Sequence, residues 1–227
     1  MDQVTEVSAQ GEEYLEAVCR IRDRGALATP TELANELALS PPSVLGMLKR
    51  LEEQGLVTYT RQTGVVLTER GQSCANTLRC RHRLAERLLT DLLGMPWERA
   101  HDIACRFEHV IDDEVEKYLL VALRHPTTCP HGNPLDNKAV ESWRSLATLS
   151  PGQSGRLRRV MDESADTLSY LSQMKLLPGV QVTVCVAAPS GGPFTVEVDG
   201  LRFALSRAMA DQLMVEYEEN ACGRSSL

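Results

Sequence analysis

The sequence predicts a mainly α chain with β: an N-terminal winged helix-turn-helix, a helical middle segment and a small C-terminal β-barrel. Three observations carry this reading. Helical patterns followed by a β-alternating pair occupy the first third, helical spacing studded with His, Cys and Glu fills the middle, and short alternating apolar runs follow residue 155. At 227 residues the chain can build two small domains, each with its own core.

Residues 10–24 read as a helix with Tyr14, Val18 and Ile21 on one face. "ATPTELANELALS" continues with Thr29 or Thr31 as N-cap and Leu33, Leu37 and Leu39 facing inward. "SPPSVLGMLKRLEEQGLV" supplies the next helix. Ser40 suits its N-cap, Pro41 and Pro42 its first turn, and Val44, Met47, Leu48 and Leu51 its apolar stripe, with Gly55 as its stop. "LVTYTRQTGVVLTERG" reads as a hairpin turning at "RQTG".

Helix, helix, short turn, helix, hairpin is the order of a winged helix-turn-helix, whose recognition helix (about 42–54) enters the major groove. Ser40, Pro42, Ser43, Lys49 and Arg50 are the expected groove and phosphate contacts, with Thr60, Arg61, Gln62 and Thr63 on the wing. The competing view is a packing or dimerisation module. Short polar residues and prolines opening the third helix favour DNA. Charge opposes it: residues 31–70 hold four Lys/Arg against five Glu, and the whole chain carries −7. Phosphate binding therefore needs a focused patch or an added cation.

A source for that cation lies in "RAHDIACRFEHV". On a helical wheel of about 100° per residue, Cys105, Glu108 and His109 fall within roughly 100° of His101. Upstream, His82 and Glu86 are four residues apart and share a face. Each member alone is ordinary: an ion pair, a surface His, a small buried thiol. Six imidazole, thiol and carboxylate groups on successive helices form the donor set of first-row transition metals. Glu13, on the flank of the first helix, is placed to reach a neighbouring helix, whereas Glu12 and Glu16 point towards solvent, Glu12 as a solvated charge and Glu16 as a weaker ligand candidate.

These stretches, "HRLAERLLTDLLG", "HDIACRFEHVIDDEVE" and "CPHGNP", resemble the diphtheria toxin repressor family of metal-dependent transcriptional repressors, closely over 9–135 and more loosely over 155–218. The resemblance implies a winged helix over 1–73, a metal-binding and dimerisation domain over 74–135, a linker over 136–154 and an SH3-like (FeoA-like) domain over 155–227. It implies an ancillary metal site on His82, Glu86 and His101, and a regulatory site on Cys105, Glu108 and His109 with Glu13 from the first helix. Glu13 matches the manganese branch, which also has a carboxylate where Glu16 stands, and Cys105 matches the iron branch. Where the iron branch takes a Glu and a Gln from the C-terminal domain, "RLRRVMDESAD" offers Arg159 and Asp162, with Asp162 or Glu163 as substitutes.

The implied function is repression at palindromic operator DNA by a homodimer loaded with Fe²⁺, with Mn²⁺ as the alternative and Co²⁺ or Zn²⁺ as substitutes in vitro. The implied mechanism is a metal cross-link between Glu13, on the helix leading into the DNA-binding unit, and the middle domain. A thiolate favours ions softer than Mn²⁺. The apolar surplus of "HVIDDEVEKYLLVALRHP" suits a dimer helix, and Cys129 with His131 in "HPTTCPHGNPLDNK" reads as structural. Seven scattered cysteines without CxxC pairs, an acidic N-terminus and no long apolar run point to a reduced, cytoplasmic protein without a membrane span or small organic substrate. A metalloenzyme using Glu108 as base, or a metal buffer, are the rivals; neither explains the winged helix.

Overall fold

The computed structural model describes residues 7–136, 142–189 and 191–217. The chain divides into two compact units. The first comprises the described residues up to His82 together with Glu108–Asp112; the second comprises Arg83–Phe107 and the described residues from Asp113 onward.

In the first unit, α1 (Ala9–Asp23), α2 (Pro30–Glu36) and α3 (Pro41–Glu53) precede the antiparallel hairpin β1 (Val57–Thr60) and β2 (Gly64–Leu67), paired from Val57↔Leu67 to Thr60↔Gly64. Each helix start carries the oxygen its free N–H groups need: Ser8 accepts from Gly11, Thr29 from Glu32 and Ser40 from Ser43. Gly55 turns the chain out of α3 at φ +68, a conformation that costs glycine little. Tyr14, Val18 and Ile21 join Leu33, Val44, Leu48, Leu51 and Val65 in one core. Leu39, expected to face inward, is instead 38% exposed. The helical register that would bury it ends at Glu36, and Ala38 at φ +52 redirects the chain. Next comes α4 (Glu69–Arg87), and the 3₁₀ turn Glu108–Val110 leads to Ile111, which is buried in this unit.

The second unit opens with the end of α4, a π-helical turn at Leu88–Leu92, α5 (Trp97–Phe107) and α6 (Asp113–Ala122). Its sheet has six antiparallel strands in the order β3-β8-β4-β5-β6-β7, where β3 is Trp143–Ser145, β4 Ser154–Val160, β5 Gln181–Ala187, β6 Phe194–Val198, β7 Leu201–Leu205 and β8 Leu213–Tyr217. Helices α7 (Ala165–Gln173) and α8 (Arg207–Asp211) join it; Leu168, Leu171, Val182, Phe194 and Val215 lie in the common core.

Part of the expected linker belongs to this core. Trp143–Ser145 pair with β8, and Leu146, Ala147 and Leu149 are buried among the sheet's side chains. Residues 137–141, also read as linker or loop, and Cys222 lie outside the described residues. Among the described residues no helix is long and apolar enough to cross a membrane.

The "CPHGNP" loop is fastened to β4. Val160 N–H donates to the His131 carbonyl at 2.9 Å, and Cys129 N–H donates to Asn133 at 2.9 Å. Gly132 sits at φ +92, and a Cβ there would stand 1.8 Å from the Arg158 carbonyl oxygen. Gly132→Ala is therefore expected to destabilise the second unit by about 3 kcal/mol, from left-handed strain plus overpacking. Denaturant unfolding checks it, with an unchanged midpoint as the contrary result.

Candidate metal centres

Residues far apart in sequence meet in the first unit. Near the start of α1, Glu13 Oε1 lies 3.2 Å from His109 Nε2, and His109 Nδ1 lies 2.8 Å from Glu12 Oε2. Glu108, from the same 3₁₀ turn as His109, has its Oε1 3.7 Å from His109 Nε2 and its Oε2 2.5 Å from His82 Nδ1 on α4. Glu108 is buried, and its Oε1 makes no hydrogen bond among the described residues.

The electrostatics describe carboxylates crowded around two imidazoles. Burial pushes the Glu108 carboxyl up, against the hydrogen bond from His82. Burial opposes charge on His109, but Glu12 and Glu13 outweigh it and hold the imidazole above its ordinary value. Metal bonds of about 2.1 Å put neighbouring ligand atoms roughly 3.0–3.4 Å apart; here Glu13 and His109 are 3.2 Å apart, Glu108 and His109 3.7 Å, and all three ligand atoms lie within 4.8 Å of one another. The orphaned buried oxygen and this donor set fit a divalent cation. Glu12 is suited to orient the ring, because a ligating imidazole normally donates its other N–H to a carboxylate.

The expectation that Glu12 and Glu16 face solvent is corrected here, for their side chains are only 23% and 14% exposed. The wheel was referred to the core stripe of Tyr14, whereas the 108–112 segment approaches a different face of α1. The wheel drawn from His101 also fails beyond Phe107, where α5 gives way to the 3₁₀ turn. Glu16 is held in an ion pair with Arg20 at 2.9 Å.

The second unit gathers another set. Glu86 Oε1 on α4 is 3.2 Å from both His101 Nδ1 and His131 Nδ1. Glu163 Oε2 is 3.2 Å from His101 Nδ1 and 3.7 Å from His131 Nδ1, while its Oε1 is bonded to Asn133. Cys129 Sγ is 3.9 Å from His131 Nδ1. Glu86, Cys129 and His131 are all buried, and the His131 Nε2–H donates to the Trp97 carbonyl at 3.0 Å, which aims Nδ1 at the carboxylates. Burial disfavours charge on His131, yet the bonds to Cys129 and Glu86 push it up to about 11. Burial pushes the Cys129 thiol up.

Sequence reasoning assigned Cys129 and His131 a structural role because they lacked partners along the chain. Their partners, Glu86 and Glu163, lie more than 30 residues away on either side. Of the expected ancillary set, Glu86 and His101 join this cluster, and His82 bonds to Glu108. Cys105 lies on α5, its Sγ 4.0 Å from His101 Nε2. Asp162 accepts from Ser164 N–H and Thr167 Oγ1–H, a turn-capping role, and Arg159 lies on β4.

All nine expected DNA contacts are exposed: Ser40, Pro42, Ser43, Lys49 and Arg50 on and before α3, and Thr60, Arg61, Gln62 and Thr63 at the hairpin tip. A 2.7 Å bond between the Thr60 and Thr63 hydroxyls stiffens that tip.

Family profiles match three stretches: "Iron dependent repressor, N-terminal DNA binding domain" over 6–65, "Iron dependent repressor, metal binding and dimerisation domain" over 68–136, and the FeoA domain over 144–217. The iron-dependent repressor IdeR of Mycobacterium tuberculosis is 31% identical over 221 residues, covering 90% of this chain and 96% of that protein. The chain belongs to the iron-dependent repressor family. The diphtheria toxin repressor of Corynebacterium jeikeium is 40% identical over 164 residues, covering 72% of this chain and 65% of that protein. A solved structure described as a manganese-dependent transcriptional repressor in complex with manganese matches with TM-score 0.79 and 25% identity, covering 92% of this chain and 100% of that one. Members of this family are transcriptional regulators, which removes the metalloenzyme alternative.

Ligation requires His109 and Glu108 to be unprotonated at the metal-facing atoms, and both are held above their ordinary values. For His109 the sign is definite. Its ion pairs with Glu12 and Glu13 are fully stabilising below pH about 6.5 and are lost as pH rises through the raised value. Divalent-ion affinity is thus expected to rise with pH, by up to about tenfold per pH unit for each proton displaced. Mn²⁺ calorimetry between pH 6 and 8, in buffers of different ionisation enthalpy, measures this; an affinity independent of pH and buffer refutes it.

Proposed function

We propose that this chain represses transcription by binding palindromic operator DNA as a homodimer when loaded with a divalent metal, Fe²⁺ in the cell. The observation that carries the reading is the buried Glu108 carboxylate, whose Oε1 makes no hydrogen bond among the described residues and shares a cluster with Glu13 and His109. Glu13, Glu108 and His109 hold the ion, and Cys105 on α5 offers a thiolate beside His101. Glu86, Cys129, His131 and Glu163, together with His101, form a second centre, and His82 serves Glu108.

A bound divalent ion supplies positive charge to the cluster. The residues around it do the rest. Glu12 orients the His109 ring, and Glu13 ties α1 to His109, some 95 positions along the chain, in the cluster that includes Glu108. Because α1 packs in one core with α2 and α3, a fixed α1 fixes the presentation of α3. There Ser40, Pro42 and Ser43 approach the groove while Lys49 and Arg50 meet phosphate. In the second unit α6 has no buried residue, and Tyr118 and Val121 are 70% and 67% exposed, as a dimer-forming helix requires.

Iron is favoured over manganese by the thiols Cys105 and Cys129, because Mn²⁺ prefers oxygen and nitrogen donors. The carboxylates Glu12, Glu13 and Glu108 favour manganese, so the manganese-responsive alternative has its own observation. Anaerobic binding to the chain's own upstream DNA, titrated with Fe²⁺ and with Mn²⁺, decides between them. Tight binding at lower free Fe²⁺ is expected; binding that ignores both ions defeats the proposal. Glu13→Ala should stay folded and lose metal-dependent binding by at least about 100-fold, the scale of a lost ligand or outer-shell partner. Lys49→Ala and Arg50→Ala should weaken binding to all sequences and each lower the salt slope by about 1.

A further inference from the structure

We infer that α3 discriminates between DNA sequences through Leu45 and Gly46, which recognise thymine methyl groups by close apolar contact rather than base edges by hydrogen bonding. The inference rests on the DNA-binding reading above and concerns how that same helix tells one sequence from another.

The exposed face of α3 lacks the usual base readers. Arginine, lysine, asparagine and glutamine are the side chains that grip purine edges through paired hydrogen bonds. None of them occurs in Pro41–Leu48, the first two turns. The hydroxyls at this end of the helix, on Ser40 and Ser43, are bonded to each other at 2.8 Å, and Ser40 Oγ also accepts from Ser43 N–H. Lys49 and Arg50 come only in the third turn, where Glu52 and Glu53 balance their charge, and Lys49 Nζ lies 3.9 Å from Glu53 Oε1. Recognition therefore falls to what the first two turns present.

They present an apolar side chain and a gap. Val44, Leu48 and Leu51 face the core. At about 100° per residue, Leu45 lies on the flank of that stripe, one turn before Lys49, and Gly46 lies almost opposite it. Leu45 is 51% exposed. One exposed leucine is ordinary, but the residue beside it is not. Glycine is disfavoured against alanine in a helix interior. Yet a Cβ at Gly46 would meet nothing within 4 Å beyond its chain neighbours and its own helix backbone, so packing among the described residues does not ask for glycine there. What a bare backbone supplies is close approach by another molecule. With Gly46 against the groove floor, the Leu45 side chain enters the groove beside it. The apolar group that base edges offer in the major groove is the thymine methyl. Lys49, on the same flank, is placed to meet the adjoining phosphate.

The test uses two versions of the chain's own upstream DNA, one natural and one made with deoxyuridine in place of thymidine, which removes only the methyls. Binding of the full-length chain is measured with whichever of Fe²⁺ and Mn²⁺ supports it in the titration above. One methyl lost from an apolar contact is worth about fourfold in affinity, so two half-sites predict a loss of roughly tenfold or more. Leu45→Ala is expected to bind both fragments alike. Gly46→Ala is expected to raise the denaturant midpoint of the chain while weakening operator binding by about tenfold or more, opposite signs that a purely structural glycine would not give. A native chain that binds both fragments equally overturns the inference. So does Leu45→Ala that keeps the full discrimination, or Gly46→Ala that binds as tightly as the native chain. A metal-loaded native chain that prefers neither fragment to unrelated DNA shows instead that the operator reading is wrong.

Discussion

A carboxylate buried against its own solvation preference is the constraint around which the first unit is arranged. Glu108 is removed from water, and one of its two oxygens is satisfied by His82. Removing such a group from water costs several kcal/mol unless a cation answers it. Around it stand groups that reduce the mismatch, His109 above all, itself steadied by Glu12 and Glu13. Such an arrangement is poor protein interior and good ligand sphere. The adjoining Arg20 network shows the same chemistry solved differently, with the positive charge supplied by the chain.

The winged helix was legible because its signals are local. N-cap oxygens at Thr29 and Ser40, prolines in the first turns and the Gly55 stop each act within a few residues, and each appears where the spacing placed it. Leu39 failed for a reason of the same scale: one left-handed residue, Ala38, broke a periodicity that composition alone could not see broken. The C-terminal strands were legible as alternation. Trp143–Ser145 were not, because a three-residue strand carries too little alternation to stand out from a Ser- and Pro-containing stretch.

The candidate metal centres divide in the same way. Spacing grouped Cys105 with Glu108 and His109, and resemblance added Glu13; the structure gathers Glu13, Glu108 and His109 and leaves Cys105 on α5 beside His101. Contacts that depend on tertiary approach were hidden: Glu12 against His109, and Cys129 with His131 against Glu86 and Glu163. The signal that was available lay in "CPHGNP" itself. There Gly132 lies against the Arg158 carbonyl, an approach that only a residue without a Cβ allows, and the loop it turns carries Cys129 and His131.

The first unit is discontinuous in sequence. Its last segment, Glu108–Asp112, is separated from His82 by the whole of Arg83–Phe107, yet it supplies Ile111 to the interior and two charged groups to the cluster. During synthesis at roughly 5–20 residues per second, the winged helix can assemble well before that segment leaves the ribosome. A nascent chain therefore acquires its DNA-reading surface before it acquires the carboxylate and imidazole that complete the cluster. Birth order alone separates the reading head from its control.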